Sequence, residues 1–408
     1  MSGAIVILGT LDTKGVELQY LRRAIAARGA QPLVVDAGIL DAPAFPPDID
    51  RHAVAAAAGS TIEALAGAGD RGQAVTRMAE GAARLVADLY ARGQVAAIVG
   101  IGGSGNATIA GAAMRALPTG VPKLLVTTVA AGDTRPYIGT TDITMMYSVV
   151  DIAGLNRLSR RILGNAAAAI VGMASAEADE PATTDDRPLV AASMFGVTTP
   201  CVTAAREGLE ALGYEVLVFH ATGVGGRSME TLIRDGFFAG ALDVTTTELA
   251  DEVAGGTLSA GPDRLEAAGR AGIPQVVSLG ALDMANFGPL DTIPERLRGR
   301  LLYQHNPAVT LMRTTREENA ALGLLIAAKL NRARGPVALV VPRRGISMID
   351  APGAPFFDPA ADAALFDALR AGLEQHVELV EVDAHINDPA FATVLVETFH
   401  RLFMEGAR

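Results

Sequence analysis

Four clusters in the first half of the chain combine glycine, hydroxyls and a few charges, a mixture suited to holding phosphate. The first is Gly9-Thr10-Leu11-Asp12-Thr13-Lys14. Glycine admits a ligand close to the backbone, and a helix beginning just after it would offer unpaired N–H groups at the positive end of its dipole. Asp12 or Thr13 could equally be an ordinary N-cap. Lys14 favours a ligand. Lysine occurs only at Lys14, Lys123 and Lys329, while arginine supplies the other basic side chains, and the two cations meet phosphate with different geometry.

The second cluster, Gly100-Ile101-Gly102-Gly103-Ser104-Gly105-Asn106, fits G-x-G-x-x-G. That pattern is weak alone. The acidic residue that a dinucleotide site carries about 20 positions on is missing, since residues 116–130 contain neither Asp nor Glu. NAD is therefore disfavoured. Phosphate cradling by the backbone of Gly102, Gly103, Ser104, Gly105 and Asn106 stands beside a plain tight turn. The third cluster runs from Thr127 and Thr128 through Gly132, Asp133, Thr134 and Arg135 to Asp142. Asp133 and Asp142 suit Mg²⁺ held through water, with Arg135 on a phosphate; the plainer alternative is turn-capping carboxylates paired with Arg135. The fourth is Asp36, at a predicted strand end, where a carboxylate binds ribose hydroxyls or caps a turn.

The second half carries its own candidates: His220, Thr222, Gly223, Arg227, Thr246, Glu248, Asp283, His305, Arg313 and Arg343. The three arginines suit an anionic second ligand. His220 and His305, and also His385, are candidate proton carriers. Cys201 opens a predicted helix, where a thiolate is favoured, although a lone cysteine is more often structural. No P-loop, H-E-x-x-H or G-x-S-x-G is present. No base–nucleophile pair forces a reaction, so catalytic residues stay unassigned.

The elements that must position these residues follow from periodicity. Short apolar β-branched runs alternate with longer helix-period segments, which predicts βαβ units and parallel sheets. Strands are expected at 4–8, 32–35, 95–99 and 123–128. Helices are expected at 16–28, with Val16, Tyr20, Leu21, Ala24 and Ile25 on one face, and at about 145–173. Small residues at 166–169 would let that second helix pack closely in a homo-oligomer. Residues 174–188 are acidic and lack large apolar side chains. The pattern then restarts, with a strand at 189–194, a helix at 202–212 and a strand at 215–219. Segment 273–278 echoes 121–126, and loop 245–248 takes the place of 100–106. The expectation is an α/β fold of two Rossmann-like domains, 1–175 and 188–408, joined by an acidic linker at 176–187 and facing a central cleft.

Composition sets the outer bounds. A chain of 408 residues, 50% hydrophobic and 19% charged, can fill two cores and is not disordered. A net charge of −11 argues against a dedicated nucleic-acid binder. One cysteine excludes an intrachain disulfide. No apolar run reaches the roughly 18 residues of a membrane span, and the N-terminus lacks a basic, apolar leader. A cytoplasmic protein is expected.

Several of these segments together resemble one family. They are residues 8–15, Gly102-Gly103-Ser104-Gly105, Pro122-Lys123, Gly132-Asp133-Thr134, Gly139-Thr140-Thr141-Asp142, Ser148-Val149-Val150-Asp151, Phe195-Gly196-Val197-Thr198-Thr199-Pro200, His220-Ala221-Thr222-Gly223 and Ser278-Leu279-Gly280-Ala281-Leu282-Asp283. The chain is similar, over nearly its whole length, to the largely uncharacterised family related to the amino-terminal, ATP-binding domain of the tomato mosaic virus resistance protein. The resemblance implies two Rossmann-like domains, ATP in the first, and frequent oligomers. It implies that loops 9–14, 102–106 and 127–134 line the nucleotide. It supplies no reaction. Phosphoryl or glycosyl transfer in the cleft is one expectation; a non-enzymatic, nucleotide-responsive regulator that presents a surface to a partner is the other.

Overall fold

The computed structural model describes residues 3–176 and 187–406. They fall into two compact units, one on each side of the gap. The expected acidic linker lies, apart from its two end residues, outside the described residues.

The first unit is a five-stranded sheet of β1 (Ala4–Gly9), β2 (Pro32–Asp36), β3 (Val95–Gly102), β4 (Lys123–Thr127) and β5 (Thr144–Tyr147). The spatial order is β2-β1-β3-β4-β5, and every pairing is parallel. Both faces are covered, which is why the strands read as nearly continuous apolar runs. Side chains alternate between two cores. Ile5, Ile7, Val99 and Val126 pack with helices Leu11–Ala26 and Arg157–Ala176. Val6, Leu8, Ile98 and Leu125 pack with helices Arg71–Ala91 and Ser104–Arg115.

Two expectations are corrected here. A helical turn already begins at Leu11 and the backbone kinks at Lys14 (φ −126°, ψ 20°) before the expected helix runs on to Ala26, so Asp12, Thr13 and Lys14 form a turn and kink rather than an open loop. Gly15 sits inside the helix because a Cβ there would come within 2.4 Å of the Ala44 Cβ. Val16 is 55% exposed, while Leu18 is buried in its stead. The long helix expected at 145–173 is instead strand β5 followed by a loop and helix Arg157–Ala176. Pairing with β4 decides the conformation of Met145 and Met146. Ala166 and Ala167 are fully buried in the unit's own core, so the small-residue stretch serves helix packing within the unit.

The second unit has a six-stranded parallel sheet of β6 (Leu189–Met194), β7 (Glu215–His220), β8 (Gly240–Thr245), β9 (Gln275–Gly280), β13 (Val337–Pro342) and β14 (Glu378–Val382). Between β9 and β13 the chain makes a small antiparallel sheet of β10 (Met284–Phe287), β11 (Leu302–Asn306) and β12 (Val309–Arg313). The main order is β14-β13-β9-β8-β6-β7. Read from its other edge, this places second, first, third and fourth strands as in the first unit, and the later strands follow in turn. One α/β architecture is thus used twice. The two third-strand loops, after β3 and after β8, occupy equivalent places.

Candidate functional site

Ligands of open parallel sheets bind beyond the C-terminal strand ends, where the strand order reverses. In the first unit the chain moves outward from β1 to β2 and, in the opposite direction, from β3 to β4. The reversal lies between the ends of β1 and β3. Gly9 and Thr10 close the first of these strands, and Gly102, Gly103 and Ser104 the second. Helices Leu11–Ala26 and Ser104–Arg115 both begin there. Neither N-cap, Thr10 or Gly103, makes a side-chain cap hydrogen bond. The Ala107 N–H donates to the Gly103 carbonyl at 2.9 Å, so the preceding amides of Ser104, Gly105 and Asn106 receive no partner from the helix.

The glycines divide by cause. A Cβ on Gly100 would lie 2.6 Å from the Ala110 Cβ, and one on Gly102 would lie 2.6 Å from the Asn106 Cβ. Those two let the helix sit close on the strand. A Cβ on Gly103 would meet nothing nearer than Thr128 Oγ1 at 3.8 Å, and one on Gly105 nothing nearer than Arg71 Nη2 and Val75 Cγ2 at 3.9 Å. No packing contact requires glycine at these positions. Asn106, 6% exposed, donates from Nδ2 to the Ile101 carbonyl, and its Oδ1 is buried without a partner among the described residues.

Arg71 was missed from the sequence. It begins helix Arg71–Ala91 behind the N-cap Asp70, and its guanidinium has no hydrogen-bond or ion-pair partner among the described residues. A cation at a helix N-terminus opposes the dipole. That mismatch is the signal that could have marked it.

The other expected residues are placed as follows. Asp36 is fully buried: Oδ1 accepts from the Leu11 and Gly38 amides at 3.0 and 2.9 Å, and Oδ2 from Arg51 Nε at 2.9 Å. The carboxylate offered to a ribose is used to hold the first helix. Asp12 Oδ2 accepts from the Leu40 amide at 2.9 Å, and Thr10 and Thr13 share a hydroxyl hydrogen bond of 2.6 Å. Thr127 is buried, its hydroxyl accepting from the Val129 amide; Thr128 follows it, and Gly132 and Thr134 flank Asp133 further along. Arg135 grips Asp133 through two contacts of 2.9 and 2.8 Å, which holds the Asp133 carboxyl below its usual range. Asp142 accepts from Lys123 Nζ at 2.7 Å. The two carboxylates expected to share Mg²⁺ are thus each paired with a cation. Among the described residues no group of three or more His, Cys, Asp or Glu could hold a metal ion.

The scarce lysines share a use. Lys14 donates to the Ile152 carbonyl, Lys123 to those of Pro118 and Val121, and Lys329 to that of Pro262. Each is a compact cation set against backbone oxygens, a role that three rotatable donors fit better than a planar guanidinium.

In the second unit five of the ten candidates, Gly223, Thr246, Glu248, Asp283 and Arg313, are buried and engaged. Glu248 is fully buried, accepting from the Gly223 and Gly226 amides at 2.6 and 3.0 Å and from Arg264 Nε at 2.6 Å. Thr246 donates to the Ser278 carbonyl at 3.1 Å. Asp283 accepts from Ser347 Oγ at 2.8 Å, and its other oxygen is buried without a partner among the described residues. Arg313 contacts Asp362 at 2.7 Å and Asp350 at 3.8 Å. Burial, with Asp350 beside it, pushes the Asp283 carboxyl up to about 7. These groups hold loops together, and solvent does not reach them. Arg227 is exposed and donates to the Ser259 carbonyl at 2.9 Å. His220, at the end of β7, lies 5.5 Å from the Phe195 ring, and the Thr222 hydroxyl donates to its carbonyl. His305 is exposed on the small antiparallel sheet. Burial pushes the Cys201 thiol up to about 12, the opposite of activation.

Of the ten, Arg343 borders a cavity of about 710 Å³ beyond the ends of β13 and β14. Its walls include Arg344, Phe357, Asp362, Phe366 and Arg370. His385 is there too, with Nε2 2.8 Å from the Ser347 carbonyl and Nδ1 accepting from the Asn387 amide. Among the described residues no helix is long and apolar enough to cross a membrane.

Comparison with known proteins places these features in a family. Residues 3–179 match the N-terminal domain, and residues 187–403 the C-terminal domain, of "Uncharacterised protein family (UPF0261)". The UPF0261 protein of Clostridium tetani is 51% identical over 398 residues, 97% of this chain and 98% of that protein. The ToMV resistance protein of Solanum lycopersicum is 45% identical over 334 residues, 81% of this chain but 44% of that longer protein. Among solved structures, UDP-N-acetylglucosamine 2-epimerase from Rickettsia bellii aligns over 99% of this chain and 96% of its own, with 10% identity and a TM-score of 0.24.

Proposed function

The chain belongs to the UPF0261 family, and from that premise we propose that its first unit binds ATP, with the phosphates at the C-terminal ends of β1 and β3. The observation that carries this is the open face of Gly103 and Gly105 at an uncapped helix N-terminus. Backbone amides of Ser104, Gly105 and Asn106 supply anion donors, and the dipole favours negative charge there. Arg71 adds a cation with no ion-pair partner among the described residues. Thr10 and Thr128 add hydroxyls on either side. ATP, rather than phosphate in general, comes from the family resemblance, and Mg²⁺ would arrive with the nucleotide, since Asp133 is already paired with Arg135, and Asp142, paired with Lys123, precedes β5 at the opposite end of the sheet.

Calorimetry with ATP and the full chain tests this. Saturable binding that Arg71→Ala weakens about tenfold is expected, as a charge-assisted phosphate contact contributes about 1.5 kcal/mol or more. No heat of binding at millimolar ATP overturns it. Turnover then separates the two functional classes. Phosphate release or transfer to an acceptor makes the protein an enzyme, and tight binding without turnover makes it a nucleotide-responsive regulator.

A further inference from the structure

We propose that the cavity beyond β13 and β14 binds a small organic anion, a carboxylate or phosphate head joined to an apolar body, with Arg343 meeting the head. Its volume of about 710 Å³ suits such a ligand. The wall is mixed in the required way, with Phe357, Phe366 and Pro352 on the apolar part and arginines on the polar part.

The arginines are not equivalent. Arg344 is held by Asp383 at 2.8 and 2.7 Å, and Arg370 by Glu381 at 2.5 and 3.1 Å and by Asp367 at 2.8 Å. Those carboxylates lie outside the cavity lining. Arg343 comes no closer than 4.0 Å to Glu381, its side chain is 53% exposed, and its guanidinium makes no hydrogen bond among the described residues. Its backbone is fixed, since its amide donates to the Val382 carbonyl at 3.0 Å. A rooted arginine with unused donors is prepared for bidentate capture of a carboxylate or phosphate. The one carboxyl in the lining does not oppose this. Asp362 is turned to the buried Arg313, which it meets at 2.7 Å, and burial pushes its carboxyl above the usual carboxylate range.

The site belongs to a different unit from the ATP proposal and stands without it. The test titrates the full chain with phenyl phosphate, benzoate and inorganic phosphate by calorimetry. At least one aryl anion is expected to bind tenfold or more tighter than inorganic phosphate. Arg343→Ala should weaken it tenfold or more, and Ala363→Phe, which fills the cavity from an exposed lining position, should abolish it. Gly105→Ala should leave it unchanged. The proposal is overturned if neither aryl anion saturates, if inorganic phosphate binds as tightly, if both cavity variants keep the parent affinity, or if Gly105→Ala weakens binding equally.

Discussion

The Lys14 ammonium donates to the carbonyl of Ile152, 138 residues further along the chain. Three residues on from Lys14, Glu17 accepts from the Gly154 amide at 2.5 Å. The first helix therefore holds the segment that follows β5 by two long-range contacts.

Replacing Lys14 with alanine should first cost stability. A half-buried, charge-assisted hydrogen bond contributes about 1–2 kcal/mol, readable as a lower urea midpoint at unchanged slope. If urea melts superpose while ATP affinity falls tenfold, the ammonium serves the nucleotide and not Ile152.

Gly105→Ala should separate stability from binding. The position is helical and its Cβ would meet only ordinary contacts, so alanine should stabilise by about 0.5–1 kcal/mol. The same methyl occupies the face offered to phosphate, and ATP affinity should drop tenfold or more. A variant that is both more stable and fully able to bind ATP removes this glycine from the site.

Arg264 is fully buried against Glu248, Asp243 and Glu230. Removing it leaves three buried carboxylates without their cation, so Arg264→Met should destabilise by about 3–5 kcal/mol. A loss below 1 kcal/mol in denaturant titration would show that water or protonation replaces the arginine readily.

Asp283 gives stability a pH dependence of definite sign. Its folded-state pKa is raised from 3.8 to about 7. Its contribution is fully present below about pH 4 and is lost as pH rises through about 7. Asp283→Asn keeps an oxygen for Ser347 and cannot ionise, so its stability relative to the parent should climb between about pH 4 and 7, by up to about 4 kcal/mol. Parallel pH–stability curves for the two proteins would contradict this.

Cys201 should be inert in the folded protein. Its thiol is buried and pushed up to about 12, so a thiol reagent at pH 8 should react only at the rate of unfolding. Immediate stoichiometric labelling would place the side chain in solvent.

Most strands of the parallel sheets, the repeated architecture and the glycine turn at residues 100–106 were legible in the residues themselves. Periodicity and glycine spacing are local, and apolar runs such as β3 fix their own burial. Partners are not local. Whether Asp36, Glu248, Asp283 and Arg313 faced a ligand or a neighbour depended on Arg51, Arg264, Ser347 and Asp362, which chain spacing does not reveal. The same holds for β5, which pairing with β4 made a strand, and for Arg343, which acquires its cavity only when β13, β14 and helix Pro359–Gly372 meet. The sequence by itself determined which loops collect polar groups. Only the tertiary structure decided which of those groups burial consumed and which, like Arg343, were left with donors unused among the described residues, and it alone brought Arg71 to the glycine loop.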